Sequence, residues 1–331
     1  MIQFSEDRLL SLKKNFNGKK IAVVGDLMLD GYLWGDVNRI SPEAPVPIVE
    51  IDKEFFRFGG AANVAVNVEH LHGKAIPFGI VGNDNDSQII LSLLEEQKIN
   101  DSGIIQDSDR PTTVKIRVIA DNQHVVRIDR ESKEYIKKST EEELITKFSK
   151  HADDIDAVIL QDYNKGVLSE NVITNVIKIA LEKDLIISVD PKFNNFYSYK
   201  NVTVFKPNRK ETEDILGIKL NSDKKISEAG KKLIDELNAK YLIITLGENG
   251  IALFDQKHNE KRLPTKARKV ADVSGAGDTV ISTLTMALTA GADITEAAYL
   301  ANYAGGLVCE EIGIVPIEYD KLFEHLLREA K

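Results

Sequence analysis

The chain has 331 residues, of which 43% are hydrophobic and 29% charged, as in globular proteins of one large domain or two ordinary ones. Its formal net charge of -9 and the lack of a basic block argue against a nucleic-acid or membrane-surface partner. The single cysteine excludes an intrachain disulfide. Without a signal-peptide core or a run of ~18 apolar residues, we expect a cytoplasmic protein with no membrane partner.

Short apolar runs alternate with helical periodicity along most of the chain. The runs that predict buried strands are 20–26, 75–82, 156–162, 185–190, 202–208 and 241–247. This alternation predicts an α/β fold with a doubly wound, mostly parallel sheet flanked by helices. Ligands of such sheets bind beyond the carboxyl ends of the strands. The strand-end residues are therefore candidates for a site: Asp26, Asp162, Asp190, Asn208 and Gly247.

Two segments depart from this alternation. Residues 32–58 contain the proline-rich PEAPVPIVEID and show no helical pattern, and residues 112–130 predict a hairpin that turns at Asp121 and Asn122. Together they predict a small antiparallel sheet inserted into the α/β domain. A sheet with one apolar face must cover something, so we expect a lid over the site or a contact with a partner subunit.

The stretch DVSGAGDT, residues 272–279, precedes an apolar helical run. Gly275, Ala276 and Gly277 allow consecutive backbone N–H groups to approach an anion at a helix N-terminus. Asp278 beside such a cradle is suited to removing a hydroxyl proton during phosphoryl transfer. The alternative is an ordinary helix start, in which Asp278 only complements the helix dipole.

A second glycine cluster, FGGAANVAVNV, spans residues 58–68. Gly59 and Gly60 permit close backbone approach to a ligand, and the amide of Asn63 can bind hydroxyl groups. The alternative is a helix start packed tightly on the sheet. The sequence has neither GxxxxGK[ST] nor GxGxxG after the first strand, which excludes a P-loop and makes the usual dinucleotide fold unlikely.

The order and separation of the two clusters resemble the signatures of the PfkB, or ribokinase-like, carbohydrate kinases. GGAANVA and DVSGAGDT are similar to the two family signatures. KPNRKETE is similar to the family's N-x-x-E motif, and ITLGENG to its nucleotide-side strand and turn. The resemblance covers residues from about 18 to 330. RISPEAPVPIV and LQDYNKGVLS further resemble bacterial heptose-phosphate kinases. These use ATP to phosphorylate C1 of D-glycero-D-manno-heptose 7-phosphate to the β-1,7-bisphosphate, on the ADP-heptose route to lipopolysaccharide inner core.

The resemblance implies roles for the catalytic and sugar-binding candidates. Asp278 would be the general base, and the anion hole for the transferred phosphoryl group would be formed by Gly275, Ala276 and Gly277. Asp30 would bind sugar hydroxyls, beside Gly59, Gly60 and Asn63.

The resemblance also implies a nucleotide and metal set. ATP would lie along Asn208, Thr245, Gly247 and Asn302, and Glu211 would orient Mg²⁺ through water. Asp272 and Ser274 resemble positions that bind a monovalent cation in relatives. GIVP, from Gly313, lacks the small hydroxyl residue that some relatives supply, which argues against potassium activation.

A sugar that already carries a phosphate requires cations at the far end of its site. We favour Arg39, Arg127 and Lys165, which lie in stretches similar to the heptose kinases, over Arg117 and Lys192. The alternative for each is a surface charge of little consequence.

Three further expectations concern the whole chain. The resemblance implies a homodimer, because in relatives such small sheets clasp one another across a two-fold axis. The lack of an HxGH motif predicts a single kinase domain, residues 1–331, without a nucleotidyltransferase domain. The alternative functions are a PfkB sugar kinase acting on a ketose or pentose, and a non-catalytic sugar- or nucleotide-binding regulator, against which the intact Asp278 argues.

Overall fold

Two sheets and ten α-helices make up the described part of the chain. A computed structural model describes residues 4–121, 123–265, 271–311 and 313–330. The helices are α1 (Glu6–Phe16), α2 (Ala61–His70), α3 (Asn85–Glu96), α4 (Lys138–His151), α5 (Glu170–Glu182), α6 (Arg209–Leu216), α7 (Asp223–Leu237), α8 (Ala276–Thr289), α9 (Ile294–Val308) and α10 (Tyr319–Glu329). The strands are β1 (Lys20–Gly25), β2 (Leu27–Ile40), β3 (Pro47–Gly60), β4 (Lys74–Gly82), β5 (Ile104–Asp107), β6 (Thr113–Ala120), β7 (Gln123–Arg130), β8 (Ala157–Gln161), β9 (Ile186–Asp190), β10 (Val204–Phe205), β11 (Tyr241–Thr245), β12 (Ile251–Asp255) and β13 (Glu260–Leu263).

The large sheet confirms the predicted α/β class. Its strand order is β13-β12-β11-β10-β9-β8-β1-β4-β5, and the seven strands from β11 to β5 pair in parallel. All six predicted strands are present, although the one expected over 202–208 is only Val204–Phe205. β5, β12 and β13 were not predicted. The chain adds β4 and β5 on one side of β1 and then β8 to β11 on the other side, so the boundary between β1 and β8 is the topological switch point where ligands of such sheets bind.

Alternating residues of the central strands serve two hydrophobic cores. Ile21 and Val23 of β1 belong to the core that contains the buried faces of α2, α8 and α9. Ala22 and Val24 point the other way, into the core built with α4, α5 and α7. Because side chains alternate across a strand, an apolar run without polar interruptions is buried on both faces. This explains why the parallel strands were visible in the sequence.

The small sheet, which we call the lid, has the strand order β3-β2-β6-β7. It starts at Leu27, five residues before the predicted boundary. β2 and β6 pair in parallel rather than antiparallel as expected, because both strands leave the same carboxyl edge of the large sheet. The β6–β7 hairpin is present; Asp121 has a φ of 50°, and Asn122 lies outside the described residues.

The lid has one polar and one apolar face. Register places Asp30 of β2 beside Arg57 of β3 and Lys115 of β6, with Arg117 and Arg127 paired on the same face; we call this the inner face. The outer face carries Ile51, Val126 and Ile128, which are 45%, 49% and 51% exposed. No helix among the described residues has the length and apolarity needed to cross a membrane.

Candidate active site

Helix α8 begins inside the glycine-rich stretch, as the sequence predicted. Gly275 is its N-cap with a φ of 78°, a left-handed conformation that glycine adopts without strain. Ala276 and Gly277 form the start of the first turn, whose N–H groups lack intrahelical partners and carry the positive end of the helix dipole. Gly275 and Gly277 line a cleft of about 450 Å³. The turn therefore presents a surface suited to an anion.

Asp278 lies in that first turn and is 4% exposed. Asn63 Nδ2 donates to its Oδ2 at 2.7 Å, while Gln161 Nε2 and the Tyr163 hydroxyl donate to its Oδ1 at 3.1 and 2.8 Å. Burial raises the pKa of Asp278 from 3.8 to about 6, because the hydrogen bonds from Asn63 and Tyr163 offset only part of the cost of burying a charge. A carboxylate with such a pKa is ionised at neutral pH and retains useful basicity.

The sugar-side residues lie on α2 and the inner face of the lid. Asp30 is 3% exposed and accepts a hydrogen bond from Arg117 Nη1 at 2.5 Å. Burial raises the pKa of Asp30 despite this partner. A Cβ on Gly59 would lie 2.5 Å from Asp30 Oδ2, so glycine is required for that approach. Gly60 caps α2, and Asn63 connects this group to Asp278.

The nucleotide-side candidates line the cleft that contains the first turn of α8. Asn208, Thr245 and Gly247 line it together with Gly277 and Asp278, and a bridge joins Asn208 to Thr245 in parallel. These residues come from the carboxyl ends of β10 and β11, where parallel strands deliver their last side chains to one edge of the sheet. The structure therefore brings the two predicted halves of the site together around Asp278.

The N-x-x-E pair forms a capping box at the start of α6. Asn208 Oδ1 accepts from the Glu211 N–H and Glu211 Oε2 accepts from the Asn208 N–H, both at 2.8 Å. Lys192 pairs with the other oxygen of Glu211 and lies 5.3 Å from the centre of the Tyr163 ring. Burial alone would lower the pKa of Lys192, but Asp190 and Glu211 outweigh it and raise the value.

A buried ion pair lies beside Asp278. Lys206 Nζ is 3.0 Å from Asp190 Oδ2, and the two side chains are 3% and 7% exposed. Gln161 Nε2 donates to the same oxygen at 3.3 Å. Both charged residues line the cleft. The pair places the Lys206 ammonium next to the cradle, and the Asp190 carboxylate balances its charge inside the protein.

The cleft is chemically suited to phosphate groups. Lys192, Lys206, Arg209 and Lys210 line it, and Arg209 Nε is buried with no hydrogen-bond partner among the described residues. The described part of the chain contains no group of three or more residues able to hold a metal ion. Mg²⁺ commonly binds through one or two carboxylates and the substrate phosphates. The predicted magnesium residue, Glu211, has one oxygen bound to the Asn208 N–H and the other to Lys192.

Some predicted residues serve the surrounding structure. Asn302 Nδ2 donates to the Pro264 carbonyl at 2.8 Å, and does not line the cleft. Asp272 accepts from the N–H groups of Ser274 at 2.9 Å and Gly313 at 3.1 Å. Burial would raise the pKa of Asp272, but these backbone hydrogen bonds outweigh it and lower the value. Asp272 thus holds the loop that leads into the cradle.

The phosphate-binding candidates separate into two groups. Lys165 and Arg127 are near the sugar side but are paired, Lys165 with Glu131 at 2.7 Å and Arg127 with Asp129 at 2.9 Å. Arg39 is nine residues beyond Asp30 on the same strand, about 30 Å away at ~3.3 Å per residue. Its side chain is 65% exposed and pairs with Glu50. Arg39 is therefore not part of the site within one chain.

Four residues around Asp278 were given no chemical role from the sequence, and only one of them was among the candidates: Gln161, Tyr163, Asp190 and Lys206. All four lie at the carboxyl ends of β8, β9 and β10 or just after them. Asp190 was noted as a strand end, and the same reasoning would have reached the other three. Conversely, Asp26 and Asp162 bind neighbouring backbone N–H groups and a tyrosine hydroxyl, so these two strand-end residues support loops.

Solved structures share this fold at low sequence identity. The ribokinase of Arabidopsis thaliana, solved with ribose and ATP, aligns with a TM-score of 0.73 and 19% identity over 94% of this chain and 99% of that one. Phosphofructokinase-2 of Escherichia coli, solved with fructose-6-phosphate, aligns with a TM-score of 0.76 and 17% identity over 95% of this chain and 99% of that one. The fold is ribokinase-like.

A family model settles the class of enzyme. Residues 18–318 match the pfkB family carbohydrate kinase. The chain belongs to this family of carbohydrate kinases.

Curated relatives narrow the comparison. The bifunctional protein HldE of Geobacter sulfurreducens is 40% identical over 291 residues, which cover 88% of this chain and 59% of that protein. The HldE of Campylobacter curvus is 42% identical over 309 residues, which cover 93% and 65%. The chain thus spans about three fifths of the length of these relatives.

Proposed function

We propose that this kinase uses MgATP to phosphorylate D-glycero-D-manno-heptose 7-phosphate at C1, giving the β-1,7-bisphosphate. The observation that carries the chemistry is Asp278, a buried carboxylate between the sugar-side and nucleotide-side groups. The heptose assignment is supported by the 40 and 42% identity to proteins named HldE and by the RISPEAPVPIV stretch. The proposal assigns the kinase reaction to residues 1–331.

In the proposed mechanism Asp278 removes the proton from the attacking sugar hydroxyl. Asn63 and Gln161 orient the carboxylate, and Asp30 binds hydroxyl groups further along the sugar. ATP with Mg²⁺ supplies the phosphoryl group, and Lys206 and the N–H groups of the first turn of α8 stabilise its charge. Asn208 and Glu211 would position phosphates and Mg²⁺.

The inner face of the lid supports a substrate with a distal phosphate. Its ion pairs form two neighbouring groups: Arg117 with Asp30, and Lys115, Arg127, Lys133 and Lys165 with Asp129 and Glu131. Five cations against three carboxylates leave a net positive charge there before substrate binds. We assign the distal phosphate to Lys165 and Arg127, joined by Lys115 and Arg117, and exclude Arg39 unless it comes from a second subunit.

A second copy of the chain is the proposed partner of the lid's outer face. Ile51, Val126 and Ile128 expose apolar side chains on that face, and two such faces would bury each other. Sedimentation of the protein at micromolar concentration is expected to give a dimer, and Ile128→Lys is expected to give a monomer. A monomeric wild type would contradict the assignment.

A coupled ADP-release assay tests the substrate and the base together. The sugars are heptose 7-phosphate, sedoheptulose 7-phosphate, fructose 6-phosphate, ribose and fructose, each tested with wild type and with Asp278→Asn. We expect turnover on the heptose phosphate, reduced by a factor on the order of 10³ in the variant. Turnover on a neutral ketose or pentose instead would retain the base and reject the heptose. Failure with every sugar would favour a non-catalytic regulator.

The monovalent cation is tested in the same assay. Asp272 and Ser274 remain its proposed site, since relatives use similar positions. Replacing sodium by potassium is expected to raise the rate, and equal rates in both salts would reject the cation site.

A further inference from the structure

Tyr163 is held in place by a buried carboxylate that plays no part in the chemistry. Asp26 accepts hydrogen bonds from the backbone N–H groups of Tyr163, Lys165 and Val167 at 2.8, 3.1 and 3.2 Å. Asp26 is 1% exposed, so the turn after β8 is fixed from inside the protein. As a consequence, the phenol hydroxyl is aimed at Asp278 Oδ1, 2.8 Å away.

The Asp278 side chain has three hydrogen-bond donors among the described residues, and they are not equivalent. Asn63 donates to Oδ2, whereas Gln161 and Tyr163 share Oδ1. The hydrogen bond from Gln161 is longer, at 3.1 Å, and the same Nε2 also donates to Asp190. The Tyr163 hydroxyl is therefore the shorter of the two contacts on Oδ1. A donor to the ionised form of a carboxylate favours that form.

We infer that Tyr163 is a positioning residue for phosphoryl transfer: its hydroxyl keeps Asp278 ionised and turned towards the sugar. The inference rests on the proposed role of Asp278 as the base. Tyr163 also spans the two halves of the site, because the Lys192 ammonium lies 5.3 Å from its ring centre and pairs with Glu211. Replacing Tyr163 by Phe therefore removes the hydrogen bond to the base and keeps the ring beside Lys192.

The other charged groups near Asp278 do not replace this hydrogen bond. Asp190 at the end of β9 raises the pKa of Asp278, and Lys206 after β10 lowers it. Lys206 is bound to Asp190, while Lys192 is bound to Glu211. In the described part of the chain neither lysine forms an ion pair with Asp278. Loss of the Tyr163 hydroxyl should thus leave Oδ1 with Gln161 alone and raise the pKa of Asp278.

Tyr163→Phe tests the inference through the pH dependence of kcat/KM, which reports the free enzyme. The acid limb near pH 6 is expected to move up by about one unit, which corresponds to a roughly tenfold lower kcat/KM at pH 5 and a change within about twofold above pH 8. Tyr135→Phe is the matched control, since Tyr135 is 52% exposed and its hydroxyl bonds Asn195. A loss of the same size at every pH would overturn the inference and indicate a structural role.

A ¹³C carboxyl titration of the sugar-free protein provides a readout without activity. The Asp278 signal is identified by its disappearance in Asp278→Asn, and its midpoint is expected to be higher in Tyr163→Phe than in wild type or Tyr135→Phe. An unchanged midpoint would refute the role of Tyr163 even if Asp278 is the base. Full activity of Asp278→Asn would instead refute the proposed function, whatever the titration gives.

Discussion

The buried carboxylate of Asp278 should make the active protein less stable than an inactive variant. Its pKa is about 6 in the folded protein against 3.8 for an ordinary aspartate, because burial disfavours the charged form. An ionised Asp278 therefore costs folding free energy that a neutral side chain of the same shape does not. We expect Asp278→Asn to unfold at higher denaturant concentration than wild type at pH 8, while losing activity.

The size of the effect follows from the difference in pKa. About 2 units correspond to about 3 kcal/mol. The NH₂ group of the new asparagine would face the NH₂ group of Asn63, or Asn63 would have to turn, and this costs about 1 kcal/mol. The expected net increase in the free energy of unfolding at pH 8 is about 2 kcal/mol. Because the pKa of Asp278 is higher in the folded protein, wild type has the full stability of the protonated carboxyl below pH 3.8. It loses that stability as the pH rises through 6. The advantage of the variant should accordingly disappear near pH 4.

Urea unfolding at pH 8 and at pH 4.5 checks both the magnitude and the sign. Asp214→Asn is the control, because Asp214 is an exposed residue of α6 whose change should alter stability by less than about 0.5 kcal/mol. A variant less stable than wild type at pH 8, or one whose advantage is the same at both pH values, would refute the electrostatic reasoning.

Three further substitutions test separate contacts. Lys206→Met leaves the Asp190 carboxylate buried without its cation and should lower the free energy of unfolding by about 3–5 kcal/mol; urea unfolding that changes by under 1 kcal/mol would contradict the buried pair. Gly59→Ala places a Cβ 2.5 Å from Asp30 Oδ2 and should raise KM for the sugar more than KM for ATP in steady-state kinetics, whereas equal changes would argue against a sugar-side role. Arg57→Met removes the 2.6 Å hydrogen bond from the lid to a backbone carbonyl beside the cradle, so hydrogen exchange of the lid should accelerate while that of the large sheet is unchanged.

The sequence determined the class of the fold and the two ends of the site. Buried parallel strands are recognisable as short apolar runs, since both of their faces are covered. A helix that begins at Gly275 is recognisable because its signals lie within a few residues of each other. For the same reason the capping box of Asn208 and Glu211 was contained in a four-residue motif, although its geometry was not.

Tertiary structure decided which side chains meet. Asp278 binds Asn63, Gln161 and Tyr163, which are 215, 117 and 115 residues away in the chain. No local pattern specifies such contacts, because they depend on the order in which β1, β8 and β9 assemble and on where α2 and α8 dock. The same holds for the lid, whose β2 and β6 run in parallel since both leave one edge of the large sheet. Arg39 was a plausible candidate because of its neighbours in sequence. The extended backbone of β2 separates it from the sugar side by most of the length of the strand.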